Sequence, residues 1–580
     1  MFEKVLIANR GEIALRVLRA CRELGVRTVV VHSTADADSL PVRLADETVR
    51  IGPAASRQSY LNAAAIVEAA RQTGAQAVHP GYGFLSEDAD FAEICAANGL
   101  TFIGPPPEVM SALADKSTAR ALMSKAGLPL PPGAVQTLPT VADALEVAAE
   151  VGYPVIIKAA AGGGGRGMTV VHSAAKLPRA YARTRAAAQV AFGDDRVYVE
   201  RYLADARHVE VQVLCDGRGN GVHLGTRDCS VQRRHQKLIE EAPAPALRPS
   251  TLDMLAETAL RGVLSVGFTG AGTVEFLVDG AEQGHFLEIN CRIQVEHPVT
   301  EMVTGVDVVH EQLHIAAGTP LRLRQEDIRL RGVAVEARVN VEDPDRDFAP
   351  APGRLDRFRP PGGPFTRVDT HGHAGYLVSP HYDSLLAKVA VWAPDRDGAL
   401  DRLDRALGEF EVAGPGVRTT IPFVRRVLRD PAFRQGRHTT GLVERLLAAP
   451  AGAPAPDPAP ANGTAPADGT APADGTAPAD GTAPADGTAP ANGGAPANGA
   501  GPANGAGPAG EAPTRVAANG GRGGPADGGP GSDRAAPGAV PGAPPVPADP
   551  VFVTRAEADP AGRTPVTAVP AAGPTAWRTR

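Results

Sequence analysis

The 580-residue sequence is poor in cysteine, in aromatic residues, in long apolar runs and in charge of one sign, and each shortage narrows what the chain can be. Five cysteines (Cys21, Cys95, Cys215, Cys229 and Cys291) are odd in number, scattered and never spaced as CxxC. That excludes a zinc or disulfide framework and indicates a reducing compartment. No apolar run approaches the roughly 18 residues needed to span a bilayer. MFEKVLIANRGEIA also lacks the basic and apolar regions of a secretory signal, so the expectation is a cytoplasmic chain with no membrane contact. Lys and Arg total 58 against 65 Asp and Glu, a net charge of −7. Residues 451–580 contribute −4 of it (7 Arg against 11 acids), leaving 51 against 54 elsewhere. So even a balance excludes a general nucleic-acid binder.

Residues 451–580 also lack lysine and have only two aromatics, Phe552 and Trp577, while holding 25 of the 54 Pro and 24 of the 65 Gly. Such a stretch cannot bury enough apolar surface to offset its ordering entropy, so a disordered Ala/Pro/Gly-rich tail is expected over 448–580. Eight hexads from Ala461 to Pro508, beginning ANGTAP and ADGTAP, carry a Pro each and nothing large to stack inward, which suits a flexible spacer rather than a β-helix. VFVTRAEA near the end is a candidate docking element, with disorder the plainer reading. The folded part is then residues 1–447.

Within it, KVLIAN, TVVVHS, AVHP and TFIG read as strands. They alternate with helical GEIALRVLRACRELG, YLNAAAIVEAARQTG and DADFAEICAANG, the pattern of a doubly wound, Rossmann-like parallel sheet. Ligands in such sheets lie beyond the carboxyl ends of strands, here ANRGE, HSTADAD and HPGYGFLSE. From about Asp115 the pattern changes. YPVIIKAA and GMTVVHS predict two strands joined by a glycine loop, and VYVERYL and HVEVQVLCD two more. GTVEFLV and HFLEIN alternate with period two, which predicts an antiparallel sheet with one wet face and puts Phe286, Glu288 and Asn290 on a common side. After Gly332, VAVEARVN and LLAKVAVWA read as strands and ALDRLDRALGEF as a helix, a mixed α+β region.

The loop AGGGGRGM lies between two strands and has neither a Walker ending nor GxGxxG. Gly162, Gly163, Gly164 and Gly165 would let backbone N–H groups approach phosphate oxygens and let the loop move as a lid, or would form a plain hairpin. Lys158 upstream is a compact charge suited to a phosphate. Glu275 and Glu288 on neighbouring strands, with Asn290, are hard oxygen ligands suited to Mg²⁺ at nucleotide phosphates, or else solvated strand-face acids. NCRIQVEHPVTE places Arg292, which can grip a planar oxyanion, beside Gln294, Glu296 and His297. RDCSVQRRHQKLIEE adds Arg233, Arg234, His235 and Lys237, a mixture that fits an anion pocket.

These stretches resemble the biotin carboxylase family, the ATP-grasp subunits or domains of acyl-CoA and pyruvate carboxylases, over essentially all of residues 1–447. The matching segments are IANRGEIALR, HPGYGFLSE, FIGP, YPVIIKAA, GGGGRGM, RHVEVQV, RDCSVQRRHQK, EEAPAP, GAGTVEFL, EINCRIQVEHPVTEM and HYDSLLAKV. GGGG and EIN occur in other ATP-grasp ligases too; RIQVEHPVTE with RRHQK is specific. The resemblance implies an α/β ATP-grasp fold. Residues 1–114 would form the N-terminal domain, 115–330 the ATP-grasp domain with a lid over about 131–203, and 331–447 the C-terminal domain. It also implies ATP- and Mg²⁺-dependent carboxylation of biotin by bicarbonate through carboxyphosphate, with Mn²⁺ as the substitute metal.

Carried over residue by residue, Lys116, Lys158, His208 and Lys237 would contact ATP phosphates under the Gly162–Gly165 loop. Glu200 and Leu203 would hold the adenine edge, and His235 the ribose. Glu275, Glu288 and Asn290 would bind the metal. Arg292, Gln294 and the Val295 N–H would seat bicarbonate, Glu296 would deprotonate it, and Arg338 would stabilise the biotin enolate. The sequence departs from the family at Ala161, in place of a further glycine, at Arg201, often Lys, and at Cys291, where a small non-thiol residue is usual. None of the six methionines lies beside a lysine, so the MKM motif of a biotin attachment domain is missing. The resemblance therefore implies biotin on a separate carrier protein in trans, a carboxyltransferase subunit as partner, and a homodimer. The competing readings are another ATP-grasp ligase, which leaves RIQVEHPVTE unexplained, and a non-catalytic or regulatory paralogue acting through the tail.

Overall fold

The computed structural model describes residues 1–162, 167–448 and 553–555. Its N-terminal sheet is formed by β1 (Lys4–Ile7), β2 (Arg27–Ser33), β3 (Glu47–Gly52), β4 (Ala77–His79) and β5 (Thr101–Phe102), all parallel, in the order β3-β2-β1-β4-β5. The unbroken runs VLI and VVV are buried because helices cover both faces of a parallel sheet. These include α1 (Gly11–Glu23), α2 (Ala63–Thr73) and α3 (Ala89–Ala97). Local signals set their limits: α2 starts where the Asn62 side chain accepts from the Ala65 N–H and stops at Gly74 in the left-handed conformation. The strands and helices expected here are present. β3 was not foreseen, since ETVRIG offers only Val49 and Ile51 as apolar positions. A strand at Val553–Arg555 lies antiparallel to the edge strand β3, with Thr554 opposite Thr48. The hexads and the expected disorder of the tail fall outside the described residues.

A three-stranded antiparallel sheet, β7-β6-β8, follows: β6 (Val155–Ala159), β7 (Met168–Val171) and β8 (Val197–Arg201). The glycine loop joins β6 to β7, as the sequence implies; Gly162 is described, while Gly163, Gly164 and Gly165 fall outside the described residues.

The largest sheet has eight antiparallel strands. They are β9 (Arg207–Cys215), β10 (Gly221–Arg233), β11 (Gln236–Ala242), β12 (Gly270–Val278), β13 (Gly284–Asn290), β14 (Val333–Asn340), β15 (Thr366–Thr370) and β16 (Leu385–Ala393), in the order β13-β12-β9-β10-β11-β14-β16-β15. The strands after residue 331 thus extend the sheet that begins at Arg207. Helix α4 (Lys116–Lys125) packs by β13, α5 (His297–Thr304) follows the chain out of it, and α6 (Arg396–Glu409) buries Leu400, Leu403 and Leu407 against Val335, Val389 and Val391.

Two expectations about this sheet are corrected. The polar face is not wet: Glu210, Gln212, Thr273 and Glu275 are buried, because each meets a cation, an amide or a hydroxyl from a neighbouring element. Nor does Phe286 share a side with Glu288 and Asn290. Glu275 pairs with Glu288 but Phe276 with Phe286, so a bulge places one extra residue in β13. Beyond it the alternation inverts, and Phe286 joins Phe276 in the core with ring centroids 6.5 Å apart.

Candidate active site

Glu296 is the centre of the cluster on the polar face. It is fully buried at the N-cap of α5, where the chain turns out of the loop that follows β13. Its Oε1 accepts from Lys237 Nζ of β11 at 2.7 Å and its Oε2 from Arg338 Nη2 of β14 at 2.9 Å. Burial works against its charge. The cations Lys237, Arg338 and Arg227 outweigh burial and hold the carboxyl well below the usual range, so it is an ionised acceptor. Lys237 also reaches Glu210 at 2.7 Å and Glu275 at 3.2 Å. Burial opposes its charge too, and the surrounding acids keep the ammonium well above its ordinary value.

Glu275 on β12 accepts from Asn290 Nδ2 at 2.8 Å and Gln294 Nε2 at 3.1 Å, and its other oxygen lies 2.8 Å from His208 Nε2. The His208 imidazole is raised above its ordinary pKa: burial would lower it, and Glu275 prevails. Arg292 extends the cluster, donating to Gln294 Oε1 at 2.7 Å and Asn290 Oδ1 at 3.0 Å, with its Nε 3.0 Å from Glu87. Arg292 and Gln294 therefore stand side by side as donors for a planar anion, next to an acid able to accept a proton.

A second cluster lies toward the glycine loop. Lys158 on β6 pairs with Glu200 on β8, and Lys116 at the start of α4 pairs with Glu288 on β13. Glu200 Oε2 also accepts from Arg120 Nη1 at 2.6 Å. Its carboxylate is thus engaged by two cations. Leu203 lies just past β8, half-buried. His235 is exposed at the tip of the β10–β11 hairpin, where Arg234 and His235 both take positive φ. Arg201 donates to the Val151 carbonyl at 2.6 Å, so that guanidinium is tied to the helix preceding β6. Burial pushes the Cys291 thiol far above its ordinary pKa, and Cys291 packs in the hydrophobic core.

The structure thus joins His208, Lys237, Glu275, Asn290, Arg292, Gln294, Glu296 and Arg338 in one network, and Lys116, Lys158, Glu200 and Glu288 in ion pairs beside it. It leaves His235 and Leu203 outside hydrogen-bonded contact with either among the described bonds. Several functional groups were not foreseen. Arg227 binds Glu210, Gln212, Thr273 and Thr300 while fully buried, and Glu240 holds Arg338 Nε. Arg120 and Glu87 anchor Glu200 and Arg292. Arg227 sits in RDCSVQRRHQK and Glu87 in HPGYGFLSE, so the motifs contained them. What the sequence does not show is which member of a motif turns inward.

The donors suit a divalent cation. Glu275 and Glu288 are directly opposed across β12 and β13, an arrangement of like charges that is unfavourable unless a cation stands near both. Here Lys237 and His208 serve one carboxylate and Lys116 the other. Glu275, Glu288 and the Asn290 carbonyl are all hard oxygen donors of the type Mg²⁺ takes.

Comparison with known proteins agrees with this layout. Three family models match: "Biotin carboxylase, N-terminal domain" over residues 1–110, "Carbamoyl-phosphate synthase L chain, ATP binding domain" over 115–324, and "Biotin carboxylase C-terminal domain" over 336–445. A biotin carboxylase of Nostoc sp. is 52% identical over 445 residues, 77% of this chain and 99% of that protein. Biotin carboxylase 1 of Bacillus subtilis is 50% identical over 77% of this chain and 98% of its own length. Among solved structures, a Campylobacter jejuni biotin carboxylase in complex with a β,γ-ATP ligand superposes with a TM-score of 0.75 at 45% identity, covering 77% of this chain and 99% of that one. The biotin carboxylase domain dimer of a Hydrogenobacter thermophilus 2-oxoglutarate carboxylase, bound to MgADP, ADP and bicarbonate, gives 0.74 at 46% identity, covering 77% and 97%.

Proposed function

The chain belongs to the biotin carboxylase family, and from that premise we propose that it carboxylates biotin with bicarbonate at the expense of ATP. The observation that carries this reading is Glu296, a buried and ionised carboxylate held between Lys237 and Arg338 and adjoining the donors Arg292 and Gln294.

Arg292, Gln294 and the Val295 N–H seat bicarbonate. Lys116, Lys158, His208 and Lys237 bind the phosphates of ATP, with the glycine loop from Gly162 to Gly165 as cover. Glu200 and Leu203 offer backbone to the adenine, and His235 lies at the ribose end. Glu275, Glu288 and Asn290 would hold Mg²⁺, or Mn²⁺ in its place, which when bound neutralises phosphate charge. As phosphate oxygens draw Lys237 away, Glu296 loses one of the two cations in contact with it and its affinity for a proton rises. It then takes the bicarbonate proton while the bicarbonate oxygen attacks the γ-phosphorus, giving carboxyphosphate and ADP. Carboxyphosphate splits into CO₂ and phosphate. Phosphate accepts the ureido N–H proton, and that nitrogen bonds the CO₂ carbon. Arg338 faces the ureido oxygen and offsets the negative charge that develops there.

In this reading biotin arrives on a carrier protein in trans, and a carboxyltransferase passes the carboxyl group to an acetyl- or acyl-CoA. A homodimer is the expected assembly, and the domains divide at residues 114, 330 and 447. The test is transfer of labelled bicarbonate to a biotinylated carrier domain in the presence of ATP and Mg²⁺. Acid-labile label on the carrier supports the reading, and none at any carrier concentration overturns it.

A further inference from the structure

Two of the motif stretches contain buried charged residues to which no step above gives a role, Glu12 in IANRGEIALR and Lys388 in HYDSLLAKV, and Asp369 lies beside them. Lys388 is 1% exposed, on β16, the last strand but one of the large sheet. It pairs in register with Arg338 on one side and Asp369 on the other, so the three side chains share a face. Arg338 holds the Glu296 carboxylate. Lys388, its immediate neighbour, donates to the backbone carbonyl of Val295 at 2.9 Å. Two adjacent cations of the sheet therefore grip two successive residues of the loop that carries the anion seat and the base. The Val295 carbonyl belongs to the peptide plane joining Val295 to Glu296, so fixing it fixes both the direction of the Val295 N–H and the backbone from which Glu296 projects.

Lys388 is itself held from two other elements. Glu12 Oε1, on α1 of the N-terminal sheet, lies 3.2 Å away, and Asp369 Oδ2 lies 3.8 Å away. Glu12 also accepts from the Tyr82 hydroxyl, in HPGYGFLSE. The carboxyl-end loops of the N-terminal sheet thus meet the active-site loop through one buried ammonium.

We propose that Lys388 is a positioning residue for the bicarbonate half-reaction, holding the Val295–Glu296 peptide so that the seat and the base face the same anion, with Glu12 as the anchor that aims it. This rests on the biotin carboxylase reading above. A purely structural ion pair would affect stability and leave the steady-state constants of the surviving enzyme alone; a positioning role separates those constants. A lysine ammonium has three protons to donate, and Lys388 directs one of them to the Val295 carbonyl.

The test is bicarbonate-dependent ADP release by the full chain, measured for wild type, Lys388→Met, and Lys388→Met combined with Glu12→Gln, together with Tm and a saturation series in ATP and in bicarbonate. Lys388→Met alone leaves the buried Glu12 without its cation, so its Tm falls. The double variant removes that charge and recovers most of the Tm. Both are expected to lose about 10-fold or more in kcat and to raise KM for bicarbonate while KM for ATP stays within about 2-fold, since a small misplacement at a reacting centre is costly. Recovery of wild-type kcat and bicarbonate KM in the double variant would overturn the proposal, as would wild-type constants in the single one. Lack of bicarbonate-dependent turnover in the wild type would instead overturn the biotin carboxylase reading, which keeps the two failures distinct.

Discussion

In the proposed reaction Glu296 and Lys237 carry most of the chemical weight, and they are in contact. Removing either, as Glu296→Ala or Lys237→Ala, should lower turnover about 10²-fold or more, the scale of a lost electrostatic group at a reacting centre; steady-state ADP release checks it, and near wild-type rates would contradict the roles given to them. Glu240 behaves differently. Burial, reinforced by the charge of Glu296 and opposed by Arg338, pushes its carboxyl up to about 7. The unfolded chain ionises this group in the ordinary carboxyl range near about 4.3. Its contribution to stability is therefore complete below that range and is lost as pH rises through about 7. Glu240→Gln should flatten the fall of Tm between about pH 5 and about pH 8, and an unchanged slope in thermal melts would contradict the assignment. Much of the site was legible from residue types, because acids, bases and amides gathered in short motifs around Glu296. Arg227, Arg120 and Lys388 were not: a buried cation is defined by the partners that surround it, and those come from strands far away in sequence.

Among elements, β13 shows where period-two reading fails. HFLEIN sets two apolar residues, Phe286 and Leu287, side by side, and the bulge there turns Phe286 into the core while leaving Glu288 and Asn290 on the site face. That adjacent apolar pair is the one trace of the extra residue in the sequence, and a strict period-two reading passes over it. Phe286→Ala should cost about 3–5 kcal/mol of stability, as a buried aromatic does, and urea unfolding measures it; a loss under 1 kcal/mol would restore Phe286 to the polar face. At the root of the glycine loop, Gly162 takes φ +100°, and a Cβ there would meet the Phe192 ring at 2.3 Å. Gly162→Ala should shift kcat and KM for ATP together, as a hinge change does, and unchanged kinetics would remove Gly162 from the lid. The joining of strands from both sides of residue 331 into one sheet was equally hidden, because a strand pattern records its own faces and not its neighbours.

For the whole molecule, the match to relatives and the described core both end near residue 448, whereas the Ala/Pro/Gly-rich stretch lies beyond. Deleting residues 451–580 should leave ATP cleavage and Tm close to those of the full chain; a large drop in Tm would show that this stretch supports the fold. The central claim is that one buried carboxylate, flanked by two cations and an anion seat, makes this chain a biotin carboxylase. Its most direct test is ATP hydrolysis by purified protein with Mg²⁺, with and without bicarbonate and with and without free biotin. ADP release that requires bicarbonate and rises further with biotin is the predicted result. ATP binding without stimulation by bicarbonate, biotin or an added carrier protein would contradict it.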